Sequence, residues 1–263
     1  MGDAINHAVF PGGARVRPVF ALGVALACGD DRPAVADALA VAVECLHCGS
    51  LVHDDLPCFD NASVRRGRPS VHAAHGQALA VLAGDSLIVL AFQVLSDVAA
   101  EAGDRLPKLL EIIATSAGTP AGLIGGQALE SEDDCTLSDY HGAKTGALFR
   151  AAALGGAVAA GGDEALWARV GDGLGAAYQI ADDIHDHTGG DLTVGKPMGQ
   201  DSRLGRPSAV ELYGLDGAVS RLKRTLSDTV EQLPEGEGAA PLRHLIGQQT
   251  KRFLPKSLST VAA

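Results

Sequence analysis

Aromatic residues make up only 4% of the 263-residue chain, and runs alternating β-branched with polar residues are scarce. Little in the chain therefore reads as strand. A basic surplus is also missing: Asp and Glu outnumber Lys and Arg by 32 to 21, for a formal net charge of -11. That balance argues against a nucleic-acid partner. It does not exclude a small anionic substrate, because bound metal ions invert the local sign. No stretch approaches the ~20 uninterrupted apolar residues of a membrane span. The nearest, "AAALGGAVAAGG" (151–162), suits a buried helix. The N-terminus lacks a basic region followed by an apolar one, so no signal peptide is read. The five cysteines, an odd number, fit a reducing cytoplasm. One CxxC, Cys45 and Cys48, lies in an apolar helical run without a second cysteine pair, which reads as core packing rather than zinc or redox chemistry.

What is abundant points to helix. Apolar residues reach 46%, rich in Ala and Leu. Residues 34–53 carry few breakers; Pro33 suits a helix start, and Pro57 pushes the residue before it away from helical angles, so this helix should end near Asp55. Segments 72–100, 105–130, 136–160 and 168–188 read as further helices, and 215–233 as an amphipathic one. The tail from 235 opens polar and ends weakly. No repeat or low-complexity linker divides the chain. The expectation is one all-α domain over 1–263, of roughly ten helices given typical helix lengths.

Two acidic clusters carry the chemistry. In "HDDLPCFDNASVRRGRP" (53–69), Asp54, Asp55 and Asp60 precede Arg65, Arg66 and Arg68. Asp60 must fold back toward Asp54 through the Leu56–Phe59 turn. In "YQIADDIHDHTGGDLTVGKP" (178–197), Asp182, Asp183 and Asp186 form DDxxD, and Lys196 follows. Asp182 and Asp186 share a helix face one turn apart. Carboxylates so placed repel unless a cation sits between them, and Mg²⁺, held by one or two carboxylates plus substrate phosphates, suits such a site. A single DDxxD is equally well an acidic solvent-facing turn; two clusters followed by cations shift the balance. A third element, "PGGARVRP" (11–18), sets Arg15 and Arg17 beside two glycines that let backbone amides approach an anion. Arginine forks match phosphate oxygens. Together these pieces fit diphosphate chemistry on a helical scaffold.

The same segments, in the same order, resemble the trans-prenyltransferases, the polyprenyl diphosphate synthases, over about residues 5–225. "HGAKTGALF" (141–149) is similar to that family's lysine–threonine segment. Within the family the likeness is greatest to bacterial geranylgeranyl diphosphate synthases of carotenoid biosynthesis. The resemblance implies an all-helical fold around a central cavity, usually a cytoplasmic homodimer, and Mg²⁺-dependent head-to-tail condensation of isopentenyl diphosphate with dimethylallyl, geranyl or farnesyl diphosphate. By match, Asp54 and Asp60, with Asp182 opposite, hold Mg²⁺ on the allylic diphosphate, and Asp55 and Asp186, which complete the two acidic motifs, are expected among the metal ligands. Arg65, Lys144, Gln179 and Lys196 contact that diphosphate; Arg17, His47 and Arg66 bind isopentenyl diphosphate; Thr145 adjoins the reacting carbons. Scarcity of aromatics fits a linear-chain synthase better than a cyclase, which needs aromatic faces against a migrating cation.

Product length in that family depends on what floors the cavity beneath the first aspartate motif. Here Gly49 and Ser50 precede it, so the floor is expected to be open and the product to be C20, with a C15 farnesyl synthase or a non-catalytic partner subunit as alternatives. Three departures stand out. Ala14 occupies a position where relatives usually carry lysine, and Arg15 is the expected compensating cation. Gln200 and Arg206 replace common lysines. Only a short segment precedes "PGGARVRP", which is expected to weaken the dimer or expose the site. Glu130 reads as a supporting carboxylate or a helix cap, without a decision between them, and Gln127 receives no role.

Overall fold

The computed structural model describes residues 1–10, 12–131, 136–188, 208–235 and 237–253. Among them the chain is helical almost throughout: α1 (Gly2–Val9), α2 (Val16–Ala27), α3 (Pro33–Asp54), α4 (Val71–His75), α5 (Gln77–Asp97), α6 (Ala99–Ala102), α7 (Leu106–Ala117), α8 (Leu123–Ala128), α9 (Leu137–His141), α10 (Ala147–Ala159), α11 (Glu164–Thr188), α12 (Ala209–Glu231) and α13 (Ala240–Phe253). A π-helical turn, Gly142–Gly146, joins α9 to α10. The one sheet among the described residues is a two-residue ribbon, β1 (Val64–Arg65) against β2 (Arg68–Pro69).

Local chemistry sets several of these boundaries. Pro33 opens α3, where its missing N–H costs nothing. The side chain of Asp163 accepts from Leu166 N at 3.0 Å ahead of α11, and Ser208 accepts from Val210 N at 3.2 Å ahead of α12, both satisfying donors that a helix start leaves unpaired. The amphipathic pattern expected from 215 begins there because Gly214, at φ 70°, kinks α12 one residue earlier. Helix α13 departs from the sequence reading, which gave the tail no helix. Its inner contacts come from Leu242 and Ile246, both buried and one helical turn apart, a pair too short to stand out in a polar tail.

Helix α3 runs through the middle and packs against α2, α5 and α10, while α11 joins α10 to α12. One core cluster extends from Phe20 to Ile246 and includes Leu39, Leu87, Phe149 and Trp167. Cys45 and Cys48 lie within it, and burial pushes their thiols up to about 11 and about 12. Neither is a thiolate at neutral pH, so the packing role holds. By length and composition alone, α3 and α5 are apolar enough to cross a membrane, contrary to the expectation of no such stretch. The apolar window of α3 is 72% buried inside the protein, that of α5 33%.

The α3–α5 crossing corrects the expectation of open space at Gly49. A Cβ on Gly49 would lie 3.2 Å from the Gly84 carbonyl oxygen and 3.3 Å from Leu87 Cβ, so α5 already fills the space. Gly84 in turn yields to the His53 ring, with Nε2 2.1 Å from where its Cβ would stand. Gly49 lets the α3 and α5 backbones approach and Gly84 makes room for the His53 ring, so a large side chain at 49 would separate the two helices. Gly49→Tyr is therefore expected to lower the thermal unfolding midpoint by about 6–12 °C, the effect of ~3 kcal/mol of overpacking in a chain of this size. An unchanged midpoint with a shortened product would restore the cavity-floor reading.

Candidate active site

At the C-terminal end of α3 the chain turns back on itself. Phe59 N and Asn61 N both donate to Leu56 O, Asp60 N donates to Asp54 O at 3.0 Å, and Ala62 N donates to Asp55 O. This wrap brings Asp60 back over Asp54, as the Leu56–Phe59 turn required. Asp54, Asp60 and Glu130 each offer a carboxylate oxygen within 4.8 Å of the others. Hard oxygen donors so grouped fit a divalent cation such as Ca²⁺ or Mg²⁺.

Asp55 does not join that group. Its buried carboxylate faces Arg65, whose Nε donates at 2.9 and 3.2 Å, while Nη2 makes a further short contact. Arg65 Nη2 also reaches Asp54 at 3.3 Å. Burial works against the charge of Arg65, yet Asp55, then Asp54 and Asp60, raise its pKa overall. The ribbon aims this arginine: Arg66 and Gly67, between β1 and β2, take positive φ angles of 54° and 74°, as a two-residue hairpin turn demands. Arg66 Nη1 donates to Gly12 O at 2.7 Å. Its guanidinium carbon lies 2.6 Å from where a Gly13 Cβ would stand, so any side chain at 13 would expel it.

The basic loop behaves unlike the expectation for Arg15. This residue sits at φ 49° just ahead of α2, and its guanidinium is held by Glu44 and Val9 O, with Cys48 Sγ at 3.8 Å. It is committed to packing α2 on α3 and is not the replacement for the lysine missing at Ala14. Arg17 is the inward cation. It is buried, with its guanidinium 4.7 Å from the Phe149 ring centroid and 5.4 Å from that of Tyr178. Its Nη1 lies 3.5 Å from His47 Nε2, and among the described residues its Nε has no hydrogen-bond partner. Burial lowers its pKa against the opposing pull of Tyr178, Glu44 and Asp182. His47 is held well below the usual histidine range by burial and then by Arg17, Arg66, Arg65 and Arg15, so its imidazole is neutral.

The π-turn presents Lys144 and Thr145. Lys144 Nζ is 3.2 Å from Asp54 Oδ1, makes a closer contact with Glu130 Oε1, and lies 5.7 Å from the Tyr140 ring centroid. Gly126 of α8 allows this approach, since a Cβ there would stand 2.5 Å from Lys144 N. Thr145 Oγ1 donates to Gln179 Oε1 at 2.6 Å, and Gln179 Nε2 donates to Asp183 Oδ1 at 3.0 Å. Asp183, the middle acid of DDxxD, is buried, accepts from Ala209 N at 2.7 Å, and faces His141 at 3.6 Å. It ties α11 to the start of α12. Asp182 and Asp186 are half-buried on the same face of α11, and the charge of Asp182 reaches Arg17.

Most of the residues singled out in the sequence thus converge, including pairs far apart in the chain. Ser50 is half-buried four residues before Asp54, on the same helix face, with Oγ donating to His47 O at 2.9 Å. Lys196, Gln200 and Arg206 lie outside the described residues. Sequence reading left Glu130 undecided between a supporting carboxylate and a helix cap; it is the former, accepting from Gln127 Nε2 and Tyr140 Oη, both at 2.8 Å, besides Lys144. The signal was the i, i+3 pair Gln127–Glu130.

The polyprenyl synthetase family model matches residues 1–244. A geranylgeranyl diphosphate synthase of Cereibacter sphaeroides is 48% identical over 98% of this chain and 90% of its own length. Another, of Rhodobacter capsulatus, is 50% identical over 94% of this chain and 85% of its own. Among solved structures, an FPP/GFPP synthase from Zymomonas mobilis superposes with a TM-score of 0.82 at 30% identity, covering 94% of this chain and 87% of that one. A geranyltransferase from Helicobacter pylori, complexed with magnesium and isoprenyl diphosphate, gives 0.78 at 30% identity, covering 95% and 85%.

Proposed function

The chain belongs to the polyprenyl synthetase family, and from that premise we propose that it is a geranylgeranyl diphosphate synthase. It condenses isopentenyl diphosphate head-to-tail with an allylic diphosphate, and one domain over 1–263 does so with Mg²⁺ in the cytoplasm. Identity near 50% to two geranylgeranyl diphosphate synthases carries this reading. The oxygen cluster of Asp54, Asp60 and Glu130 supports the metal requirement.

Asp54 and Asp60 would hold the metal on one side, with Asp182 and Asp186 supplying the acids of the other. Bound Mg²⁺ supplies Lewis-acid stabilisation of a leaving diphosphate. Around it the residues of this chain bind and orient. Arg65 and Lys144 neutralise the allylic diphosphate, with Lys196 in the same role, while Gln179 fixes Thr145 beside the reacting carbons. Arg17, His47 and Arg66 receive isopentenyl diphosphate. The allylic C–O bond ionises and releases diphosphate, the alkene of isopentenyl diphosphate attacks the allylic cation, and the released diphosphate takes the proton that the condensed chain loses. An apolar cavity would keep water from the cation.

Product length is assigned to Ser50 rather than Gly49, because Ser50 lies one turn beneath Asp54 on the same face. Ser50→Tyr is expected to shift the main product from C20 to C15; an unchanged product would refute this assignment. A homodimer is supported by the exposed face of α5, where Leu79, Leu82 and Val89 recur at helical spacing. Sedimentation of the pure protein as a monomer at micromolar concentration would overturn it. The activity itself is tested by incubating the protein with Mg²⁺, isopentenyl diphosphate and each allylic diphosphate, then identifying the alcohols released by phosphatase. Geranylgeraniol is expected, farnesol alone would mark a C15 synthase, and no product from any primer would leave a partner subunit.

A further inference from the structure

Lys144 occupies an unusual position for a substrate-binding cation. Its ammonium sits on Asp54 and Glu130, two of the three carboxylates that offer oxygens to a divalent cation. We infer that Lys144 and Glu130 form a counter-ion exchange device: the ammonium fills the cation position in the metal-free enzyme and is displaced from Asp54 when the metal binds, while Glu130 keeps hold of it.

The anchoring of Glu130 makes this exchange directional. Gln127 donates to Glu130 Oε2 and Tyr140 to Oε1, so the carboxylate is fixed from two sides independently of Lys144. Asp54 has a second cation of its own, because Arg65 Nη2 reaches its other oxygen at 3.3 Å. Divalent charge arriving between Asp54 and Asp60 repels the ammonium at close range. Lys144 then swings about Glu130 rather than leaving the site, and its charge becomes available to a diphosphate. The π-turn under Lys144 provides a backbone segment off regular helical spacing, a feature frequent at functional sites. Glu130 is on this account a positioning residue for Lys144 and a neighbour of the metal at once. The inference rests on the reading of Asp54 and Asp60 as metal ligands.

Mn²⁺ affinity of the full chain without substrate, read from the electron paramagnetic resonance of free Mn²⁺, tests it. Lys144→Met is expected to tighten Mn²⁺ binding and Glu130→Gln to weaken it, each by about tenfold. The opposite signs matter, since a loss of local structure would weaken binding in both variants. Glu130→Asp keeps the charge and is expected to restore at least half of the lost affinity. Unchanged or weakened binding in Lys144→Met overturns the exchange, as does unchanged binding in Glu130→Gln. Should Asp54→Asn leave Mn²⁺ affinity untouched, the metal-ligand reading itself fails, which separates the two failures.

Discussion

Asp54→Asn is expected to lower the turnover of prenyl transfer by ~10²–10³, the scale on which loss of charge stabilisation at a reacting centre is felt. The same substitution should leave the fold nearly intact. Asn has the shape of Asp, and each cation facing Asp54 has a second carboxylate: Arg65 keeps Asp55, and Lys144 keeps Glu130. Removing one partner of a buried ion pair usually costs ~3–5 kcal/mol because the other charge is stranded; here neither is. The contrast with the adjacent residue sharpens the test. Asp55 is the main partner of Arg65, which lies 13% exposed, so Asp55→Asn should cost about 3 kcal/mol of stability and lose activity through the misplaced ribbon. Single-turnover transfer of labelled isopentenyl diphosphate at saturating Mg²⁺, paired with thermal unfolding, reads both. Turnover within tenfold of the parent for Asp54→Asn would remove Asp54 from the metal site.

That pair also shows where the sequence stopped being informative. The motif groups Asp54 and Asp55 as equals, and only the helix end separates them: α3 stops at Asp54, and the following turn points Asp55 at Arg65 while bringing Asp60 back. The same holds for DDxxD, where helical spacing correctly puts Asp182 and Asp186 together but cannot say that Asp183 is buried on Ala209 N. Charge type and order were therefore legible, and the division of labour within each cluster was not. Gly49 failed for a related reason. A missing side chain is consistent with a cavity or with a close neighbour, and α5, some thirty residues further along, decides for the neighbour. Arg15 was assigned by its place beside Arg17, yet its αL backbone turns it toward Glu44 instead. Helix positions between 33 and 231 largely followed from apolar pattern and prolines, since those signals are local, whereas α1, α2 and α13 were not read; Glu130 depended on three donors brought from α8, α9 and the π-turn.

Arg17→Met should raise the KM for isopentenyl diphosphate by about 10² while leaving the substrate-free protein equally stable or more so. Arg17 is 8% exposed, and the protein groups around its guanidinium compensate the charge incompletely. Phe149 and Tyr178 offer ring faces, worth ~1–2 kcal/mol for a desolvated cation, His47 is neutral, and among the described residues Nε lacks a hydrogen-bond partner. Burying a charge costs several kcal/mol unless it is fully paired, and replacing such groups with apolar residues of similar volume is often neutral or stabilising. A diphosphate would add counter-charge to that already supplied at a distance by Glu44 and Asp182, so part of the cost of burying the guanidinium would be returned on binding. Met fills the same space without that charge, and the substrate then meets only Arg66 and a neutral imidazole. With Arg17 assigned to isopentenyl diphosphate as proposed, the loss should fall on KM for that substrate more than on kcat or on KM for the allylic substrate. Steady-state kinetics with each substrate varied in turn, together with thermal unfolding of the substrate-free protein, separate the outcomes. A midpoint lowered by several degrees with KM unchanged would show that Arg17 holds α2 to α10 and α11, not a substrate.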